Sequence, residues 1–146
     1  MSAYDPSNIF AKILRGEVPS HKVHEDEHSL AFMDIMPRAA GHTLVIPKSP
    51  ARNILDAPAD VLSRTILTVQ RVARAAKIAF KADGITISQF SEQASGQVVF
   101  HLHFHVLPRH NNVALRPAHA NMEANETLAA NAAKLRAALA ELDARA

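Results

Sequence analysis

One long amphipathic segment in the middle of the chain constrains the fold more than any other feature of the sequence. Asp56 and Pro58 give the start signal of a helix, apolar residues recur at intervals of three and four, and Gly84 closes the pattern. Since segments with strand patterns lie on both sides of it, the order of elements predicts an α+β domain built on an antiparallel sheet. The apolar positions of this predicted helix are Leu62, Ile66, Val69, Ala73, Ala76 and Phe80.

The segments before the long helix predict one short helix and three strands. Residues 8–15 should form a helix of about two turns, with Ser7 as its N-terminal cap. Residues 23–36 should form two short strands around a charged turn, which makes a hairpin. The β-branched run 42–46, closed by Pro47, should form a third strand.

The segments after the long helix predict two paired strands and a final helix. Residues 85–90 and 98–107 have strand patterns and are joined by the polar segment 91–97. After Pro108 the chain becomes irregular, and an Ala-rich helix is expected from about Thr127 onward. The apolar side of this helix carries Leu128, Leu135, Leu139 and Leu142.

The composition excludes several classes of protein. A chain of 146 residues suffices for one domain with its own core, so a single domain over residues 1–146 is expected. The absence of cysteine excludes disulfides and thiolate zinc sites and fits a reducing compartment. No stretch is apolar for long enough to cross a membrane, and no signal-peptide pattern is present. We therefore expect a cytoplasmic protein without membrane contact.

The charges give no sign of a nucleic-acid partner. The formal net charge is only +2, and the basic residues alternate with acidic ones or are spread along helices. A dedicated nucleic-acid binder would show clustered basic residues and aromatic side chains on which bases stack. We therefore predict no nucleic-acid partner.

Three histidines alternate with apolar residues in the segment 101–107. In a strand, His101, His103 and His105 would share one face at a spacing of roughly 6.7 Å, with apolar residues on the other face. Imidazoles titrate near neutrality and pack less well than Val or Ile, so three of them on an exposed face are a poor choice for stability. The pattern therefore favours a chemical role for this face.

Two other interpretations of the histidines remain. The segment could be a half-buried strand whose polar side happens to be histidine. It could also bind a metal, because imidazoles at alternate strand positions can share one zinc ion, although no cysteine and no obvious carboxylate completes such a set. Nearby, Gly96 would let backbone N–H groups approach an anion closely, which suits a phosphate beside the imidazoles.

The segment Gly96-Gln97 followed by residues 101–109 resembles the signature of the histidine triad family, His-φ-His-φ-His-φ-φ. Residues 8–13, 30–37 and 41–48 are similar to other sequence blocks of that family. The resemblance is to histidine triad nucleotide-binding proteins of bacterial type. It covers a domain of residues 7–110 and leaves residues 111–146 as a C-terminal extension with a helix.

The resemblance implies a fold, an assembly and a reaction. The fold has an antiparallel sheet of about five strands with one long and one short helix, and two copies form a homodimer. The ligand is a purine nucleotide such as AMP or an adenosine conjugate. By motif position, His103 is the nucleophile that forms a nucleotidyl-histidine intermediate, which water then hydrolyses. His105 contacts the α-phosphate, the carbonyl of His101 orients His103, and His42 supports the cluster.

The resemblance also implies a nucleotide-binding set. Asp34 accepts hydrogen bonds from the ribose hydroxyls, and no cofactor or metal is required. The apolar slot for the base comprises Ile9, Phe10, Ile13, Phe32, Ile35 and Leu44, although ordinary core positions would account for most of these residues equally well. The loop beside the phosphate contributes Ser91, Gly96, Gln97 and Val98.

Three positions depart from the family pattern. Ser91 stands where many relatives carry Asn, Val98 where they carry Ser or Thr, and Ala11 where some bacterial relatives carry a zinc-binding Cys. The first two changes remove polar contacts near the phosphate or its leaving group. Two hypotheses follow: a hydrolase of nucleotide conjugates, and a nucleotide-binding or partner-binding module with weak catalysis. The remaining histidines, at 21, 24, 28, 110 and 119, are expected at the surface.

Overall fold

A computed structural model describes residues 3–146 and shows five strands and three α-helices in the expected order. Between the last two strands lies a single turn of 3₁₀-helix, Gln93–Ser95. None of the helices in the described part of the chain is both long and apolar enough to span a membrane. The elements are α1 (Ile9–Leu14), β1 (Lys22–Glu25), β2 (Ser29–Met33), β3 (Thr43–Pro47), α2 (Ala59–Ala79), β4 (Gly84–Ser88), β5 (Phe104–Arg109) and α3 (Asn125–Arg145).

The five strands form one antiparallel sheet in the order β1-β2-β3-β5-β4. The predicted α+β class and the pairing of the last two strands are confirmed. Because β3 and β5 are neighbours, Leu44 lies opposite His105. The strand that follows His42 is thereby placed beside the strand that carries the end of the histidine run.

The two faces of the sheet have different coverings. On one face, Met33, Val45, Phe104 and Val106 pack in the main core with the inner sides of α2 and α3. On the other face, a smaller cluster lies under α1 and contains Phe10, Leu30, Phe32, Leu44 and Ile46. Since Phe104 and Val106 point into the main core, His105 between them points to the α1 face. The predicted alternation of this segment is therefore correct at Phe104, His105 and Val106.

The N-terminal cap of α1 differs from the predicted one. The side-chain oxygen of Asn8 accepts the backbone N–H of Ala11 at 2.9 Å, whereas the Ser7 hydroxyl bonds to Asp5 instead. The prediction of Ser7 as the cap was wrong by one residue, because both residue types cap helices well and the local turn at Asp5 engages the serine.

The buried face of α2 is rotated relative to the predicted one. Ile66 is 46 % exposed, although the apolar periodicity placed it in the core, whereas Thr65 and Thr68 are buried. Thr65 Oγ1 donates to the carbonyl of Val61 at 2.7 Å, which satisfies its hydroxyl within the helix. The buried face of α2 therefore consists of β-branched and alanine side chains. The buried residues of α2 are Thr65, Thr68, Val69, Val72, Ala75 and Ala76.

The C-terminal helix begins at Asn125, two residues before the predicted start. Leu128, Leu135 and Leu139 are buried in the main core, and Leu142 packs against it, as the pattern predicted. The extension is therefore part of the domain's core.

Candidate active site

The strand that carries the histidine run is shorter than predicted. The pattern predicted a strand over residues 98–107, but β5 begins at Phe104, so His101 and His103 lie in the irregular segment before it. The expected exposed face is also wrong, because His101 is 0 % and His103 7 % exposed. Helix α1 and the segment after β4 cover this side of the sheet. The predicted nucleophile is thus enclosed by protein.

Aromatic rings pack against the imidazoles edge to face. The ring of Phe10 lies 4.9 Å from that of His103, and the ring of Phe90 lies 5.5 Å from that of His105. The two imidazoles are themselves 5.1 Å apart, centroid to centroid. These contacts restrain the orientations of both rings.

One hydrogen bond determines the tautomer of His103. Its Nδ1 atom lies 2.6 Å from the carbonyl oxygen of His101. Because a carbonyl can only accept, Nδ1 carries the proton and Nε2 keeps its lone pair. Burial lowers the pKa of His103 below its ordinary value, and the bond to His101 opposes this in part. The ring is therefore a neutral base with an available nitrogen at neutral pH.

A chain of hydrogen bonds gives His105 the opposite tautomer. The backbone N–H of Arg38 donates to Nδ1 of His42 at 3.0 Å, so the proton of neutral His42 must be on Nε2. That Nε2–H lies 2.9 Å from Nδ1 of His105, which accepts it. His105 consequently carries its own proton on Nε2. Burial, with smaller contributions from nearby positive charge, lowers the pKa of His42 and of His105 to about 3.

The two tautomers give the neighbouring histidines different chemical capacities. His103 offers an unprotonated nitrogen, which can attack an electrophile, and His105 offers an N–H, which can donate to an anionic oxygen. This is the pairing that phosphoryl transfer to an imidazole requires. Sequence analysis did not find the contribution of Arg38, because a backbone N–H leaves no signal in the residue type.

Asp34 completes a cluster that could in principle bind a metal. Its Oδ2 atom lies 3.4 Å from Nε2 of His42, and the potential ligand atoms of Asp34, His42 and His105 all lie within 4.8 Å of one another. The sequence offered no obvious carboxylate to complete a metal-binding set, whereas the fold brings Asp34 within reach of His42 and His105. However, a zinc ion on Nε2 of His42 would move the proton to Nδ1, which faces the N–H of Arg38. The arrangement favours a hydrogen-bonded chain over a shared metal.

The carboxylate of Asp34 is anchored and partly buried. Its Oδ1 atom accepts the backbone N–H of Met36 at 2.8 Å, and the side chain is 19 % exposed. Burial raises the pKa of Asp34, and the bond from Met36 opposes this. An acceptor held in this way beside the imidazoles can receive hydrogen bonds from a polar ligand.

The predicted base slot divides into a buried part and an exposed part. Phe10, Phe32 and Leu44 are buried in the smaller core cluster, with Ile13 packed against it. Ile9 and Ile35 are 42 % and 45 % exposed. The buried residues therefore belong to the core under α1, and the exposed pair leaves apolar side chains accessible at the surface.

The loop 91–98 is held by a polar network that sequence analysis missed. The amide oxygen of Gln97 accepts from the backbone of Glu92 and from Asn53, and its nitrogen donates to the carbonyls of Arg52 and Val99. The guanidinium of Arg52 forms two bonds, at 2.8 and 3.0 Å, with the carboxylate of Glu92. Gln97 therefore uses its hydrogen-bonding capacity within the protein and shapes the loop.

The other predicted residues of this loop have varied surroundings. The Ser91 hydroxyl donates to the side chain of Gln89 at 3.0 Å. Gly96 has a φ of 105°, which favours glycine, and Val98 is 63 % exposed. Among the histidines expected at the surface, those at 28, 110 and 119 are exposed and those at 21 and 24 are half-buried.

Comparison with known proteins gives consistent matches. The model of the HIT domain family matches residues 15–112. A crystal structure of a Hit-like protein involved in cell-cycle regulation from Bartonella henselae is 54 % identical, covers 93 % of this chain and 99 % of its own, and has a TM-score of 0.88. A zinc-bound histidine triad family protein from Mycobacterium smegmatis is 36 % identical, with coverages of 96 % and 98 % and a TM-score of 0.84.

An enzyme is also among the relatives. Adenosine 5'-monophosphoramidase HNT1 of Saccharomyces cerevisiae is 37 % identical over 105 residues, which are 72 % of this chain and 64 % of the yeast protein. Its name states an activity for that protein. The range matched by the family model, residues 15–112, contains all three histidines of the run in this chain.

Proposed function

This chain belongs to the HIT domain family, and from that premise we propose that it hydrolyses purine nucleotide conjugates, such as nucleoside phosphoramidates, through a nucleotidyl-histidine intermediate. The observation that carries the proposal is the pair of opposite tautomers in His103 and His105. The named activity of the yeast relative supports the choice of an adenosine phosphoramidate as substrate.

In the first step, Nε2 of His103 attacks the α-phosphorus. A P–N bond forms, the bond from phosphorus to the leaving group breaks, and the leaving amine takes a proton from solvent. The positive charge on the imidazole is spread towards the carbonyl of His101, which accepts the Nδ1–H. The Nε2–H of His105 donates to a non-bridging oxygen, where negative charge must be stabilised.

In the second step, water attacks the same phosphorus and the P–N bond breaks. His103 recovers the lone pair on Nε2, AMP is released, and the proton lost by the attacking water passes to solvent. Imidazole suits both steps, because it is nucleophilic at neutral pH and its phosphoramidate is labile. Neither step calls for a metal, and we propose that the reaction proceeds without one.

We assign the nucleoside to the surface beside these imidazoles. Asp34 would accept from the ribose hydroxyls through a carboxylate that Met36 already orients. The base would contact Ile9 and Ile35, which are the exposed members of the apolar set. Phe10 would position both the slot and His103, since its ring touches that imidazole.

A binding module with weak catalysis is the second candidate. It is favoured by Val98, which is exposed three residues before His101 in the sequence and cannot donate to a leaving group, and by Ser91, whose hydroxyl is engaged with Gln89. In this case the nucleotide would bind at the same surface, but turnover would be at background.

The two candidates are separated by single-turnover kinetics with adenosine 5'-phosphoramidate, followed by intact-protein mass spectrometry. Wild-type protein should release AMP and transiently gain the mass of a nucleotidyl group. His103→Ala should lose both signals yet bind AMP, because the ring is needed for bond making more than for docking. His28→Ala, which removes an exposed histidine, is the matched control and should behave as wild type. Wild-type turnover in His103→Ala would refute the mechanism.

We also propose that two copies associate through α2 and the edge strand β4. This surface exposes several isoleucine and leucine side chains, at 46 % for Ile66, 60 % for Leu67 and 46 % for Ile87. An unpaired strand edge beside an apolar helix face is a common interface between copies. Light scattering should give twice the mass of one chain for wild type and for Leu55→Lys, which lies outside this surface, and one chain mass for Ile87→Lys. A monomeric wild type would contradict the proposal.

A further inference from the structure

The orientation of His103 depends on a carbonyl that no strand pairing holds. Its Nδ1–H donates to the oxygen of His101, but the ladder between β5 and its neighbours begins at Phe104. The N–H of Leu102 donates to the carbonyl of Ala51 at 2.8 Å, which fixes one side of this segment. A second restraint on this peptide comes from the side chain of His101.

The ring of His101 is wholly buried and bonded at both nitrogens. Its Nε2 lies 2.8 Å from the carbonyl oxygen of Pro47, and its Nδ1 lies 2.6 Å from the hydroxyl of Tyr4. Since the carbonyl only accepts, Nε2 carries the proton and Nδ1 is an acceptor. The Tyr4 hydroxyl is therefore the donor, and its ring meets the imidazole edge to face at 5.6 Å.

The direction of the Tyr4 hydroxyl is itself determined. The side-chain nitrogen of Asn8 donates to it at 3.0 Å, so the hydroxyl oxygen accepts from one side and donates to His101 on the other. The orientation of Asn8 is fixed in turn, because its oxygen caps α1 at Ala11 and its nitrogen also donates to the carbonyl of Asp5. The cap of α1 is thus connected to the nucleophile by an ordered chain of bonds.

We infer that Tyr4 is a positioning residue for the nucleophile. Its hydroxyl holds the ring of His101, the ring holds the peptide, and the carbonyl of that peptide directs the Nδ1–H of His103 so that Nε2 faces the substrate. Tyr4 and Asn8, which lie before the first helix, are in this way part of the machinery of the reaction. The expected change in kcat rests on the proposed function. The expected change in the tautomer of His103 does not depend on it.

Tyr4→Phe tests the inference with the loss of one oxygen atom. The ring keeps its edge contact with His101, whereas the buried Nδ1 loses its donor. We expect kcat to fall by about two- to tenfold, the effect of one hydrogen bond, with KM for adenosine 5'-phosphoramidate unchanged. Ser7→Ala removes a hydroxyl from the same turn that bonds only to Asp5, and it should leave both constants as in wild type.

Asn8→Asp provides a second variant that keeps the cap. Its carboxylate still accepts the N–H of Ala11, but an oxygen replaces the nitrogen that donates to Tyr4. In this variant the Tyr4 hydroxyl would donate to the introduced carboxylate, and Nδ1 of His101 would lose its hydrogen-bond donor. The kinetic loss should match that of Tyr4→Phe, so the inference stays testable even if Tyr4→Phe folds poorly.

The tautomers are read directly from the ¹⁵N shifts of the imidazoles in nucleotide-free protein. Wild type and Ser7→Ala should show His103 protonated on Nδ1 alone, and Tyr4→Phe and Asn8→Asp should show a mixture of tautomers. Unchanged shifts and kcat in both variants would overturn the inference. If wild type proves inactive, the proposed function fails, and the shifts still decide the role of Tyr4.

Discussion

Gly41→Ala should be among the most damaging small substitutions in this protein. Gly41 has a φ of +88°, and a Cβ atom built on it would lie 2.4, 2.7 and 2.8 Å from three ring atoms of Phe80. The left-handed backbone costs about 1–2 kcal/mol for a residue with a Cβ, and forcing a methyl into packed space costs about 1–3 kcal/mol. Alanine returns about 0.4–1 kcal/mol by restricting the unfolded chain.

The sum is a loss of about 1–4.5 kcal/mol in the free energy of unfolding. Two other glycines separate the backbone cost from the steric cost of the added methyl group. Gly16 has a φ of +78° but open space around its Cβ position, so Gly16→Ala measures the backbone cost alone. Gly84 has open space and no such φ, so Gly84→Ala should be close to neutral. Guanidinium unfolding curves of the three variants give the comparison.

A double-mutant cycle with Phe80→Ala tests the assigned cause. If the methyl clashes with the ring, the double variant should be less destabilised than the sum of the single ones. Because Gly41 precedes His42, whose N–H bonds to Ala39 and whose ring bonds to Arg38, a shift of this peptide should also lower kcat. The reasoning is refuted if Gly41→Ala is no more destabilising than Gly16→Ala.

Three further predictions concern pH, the loop and metals. Burial lowers the pKa of His101 to about 4 and that of His42 and His105 to about 3, so between pH 6.5 and about pH 4 the unfolded chain binds these protons and the folded chain largely does not. The free energy of unfolding should therefore be at its full value above pH 6.5 and fall steadily between pH 6.5 and 4, and a flat profile in denaturant titrations would contradict this. Val98→Thr adds a hydroxyl at an exposed position, so the substitution carries no cost of burying a polar group. It should raise kcat by up to about tenfold with KM little changed. A rate that stays at background while AMP still binds would favour the binding module. Dialysis against a chelator should leave the hydrolysis rate unchanged, and a loss that zinc restores would assign the Asp34, His42 and His105 cluster to a metal.

The parts of the fold that follow from local periodicity were predictable. The alternation of residues 104–106 and the apolar side of α3 follow from the geometry of a strand and of a helix, which act within a few residues. The face of α2 was predicted with an error at Ile66, because hydrophobicity alone assigns isoleucine inward, whereas threonine and alanine take buried positions in the folded helix. The space between two elements is a property of neither sequence segment.

In the candidate site, too, the sequence predicted residue types but not their surroundings. His103 and His105 could be proposed from the sequence, but their burial could not, since α1 and Phe90 cover them from distant parts of the chain. The carboxylate of Asp34 was expected at the ribose, and its position beside His42 appeared only in the folded chain. Pairing of residues far apart in sequence depends on the packing of the whole domain.

By itself, the sequence determined the order of the elements and indicated which side chains are candidates for the chemistry. Only the tertiary structure decided where the protons are, because the partners that settle each tautomer are the N–H of Arg38 and the carbonyls of Pro47 and His101. Every residue except proline carries both of these backbone groups, so their roles leave no mark on residue type. The backbone that surrounds two identical imidazoles thus leaves one of them with an unprotonated Nε2 and the other with an Nε2–H.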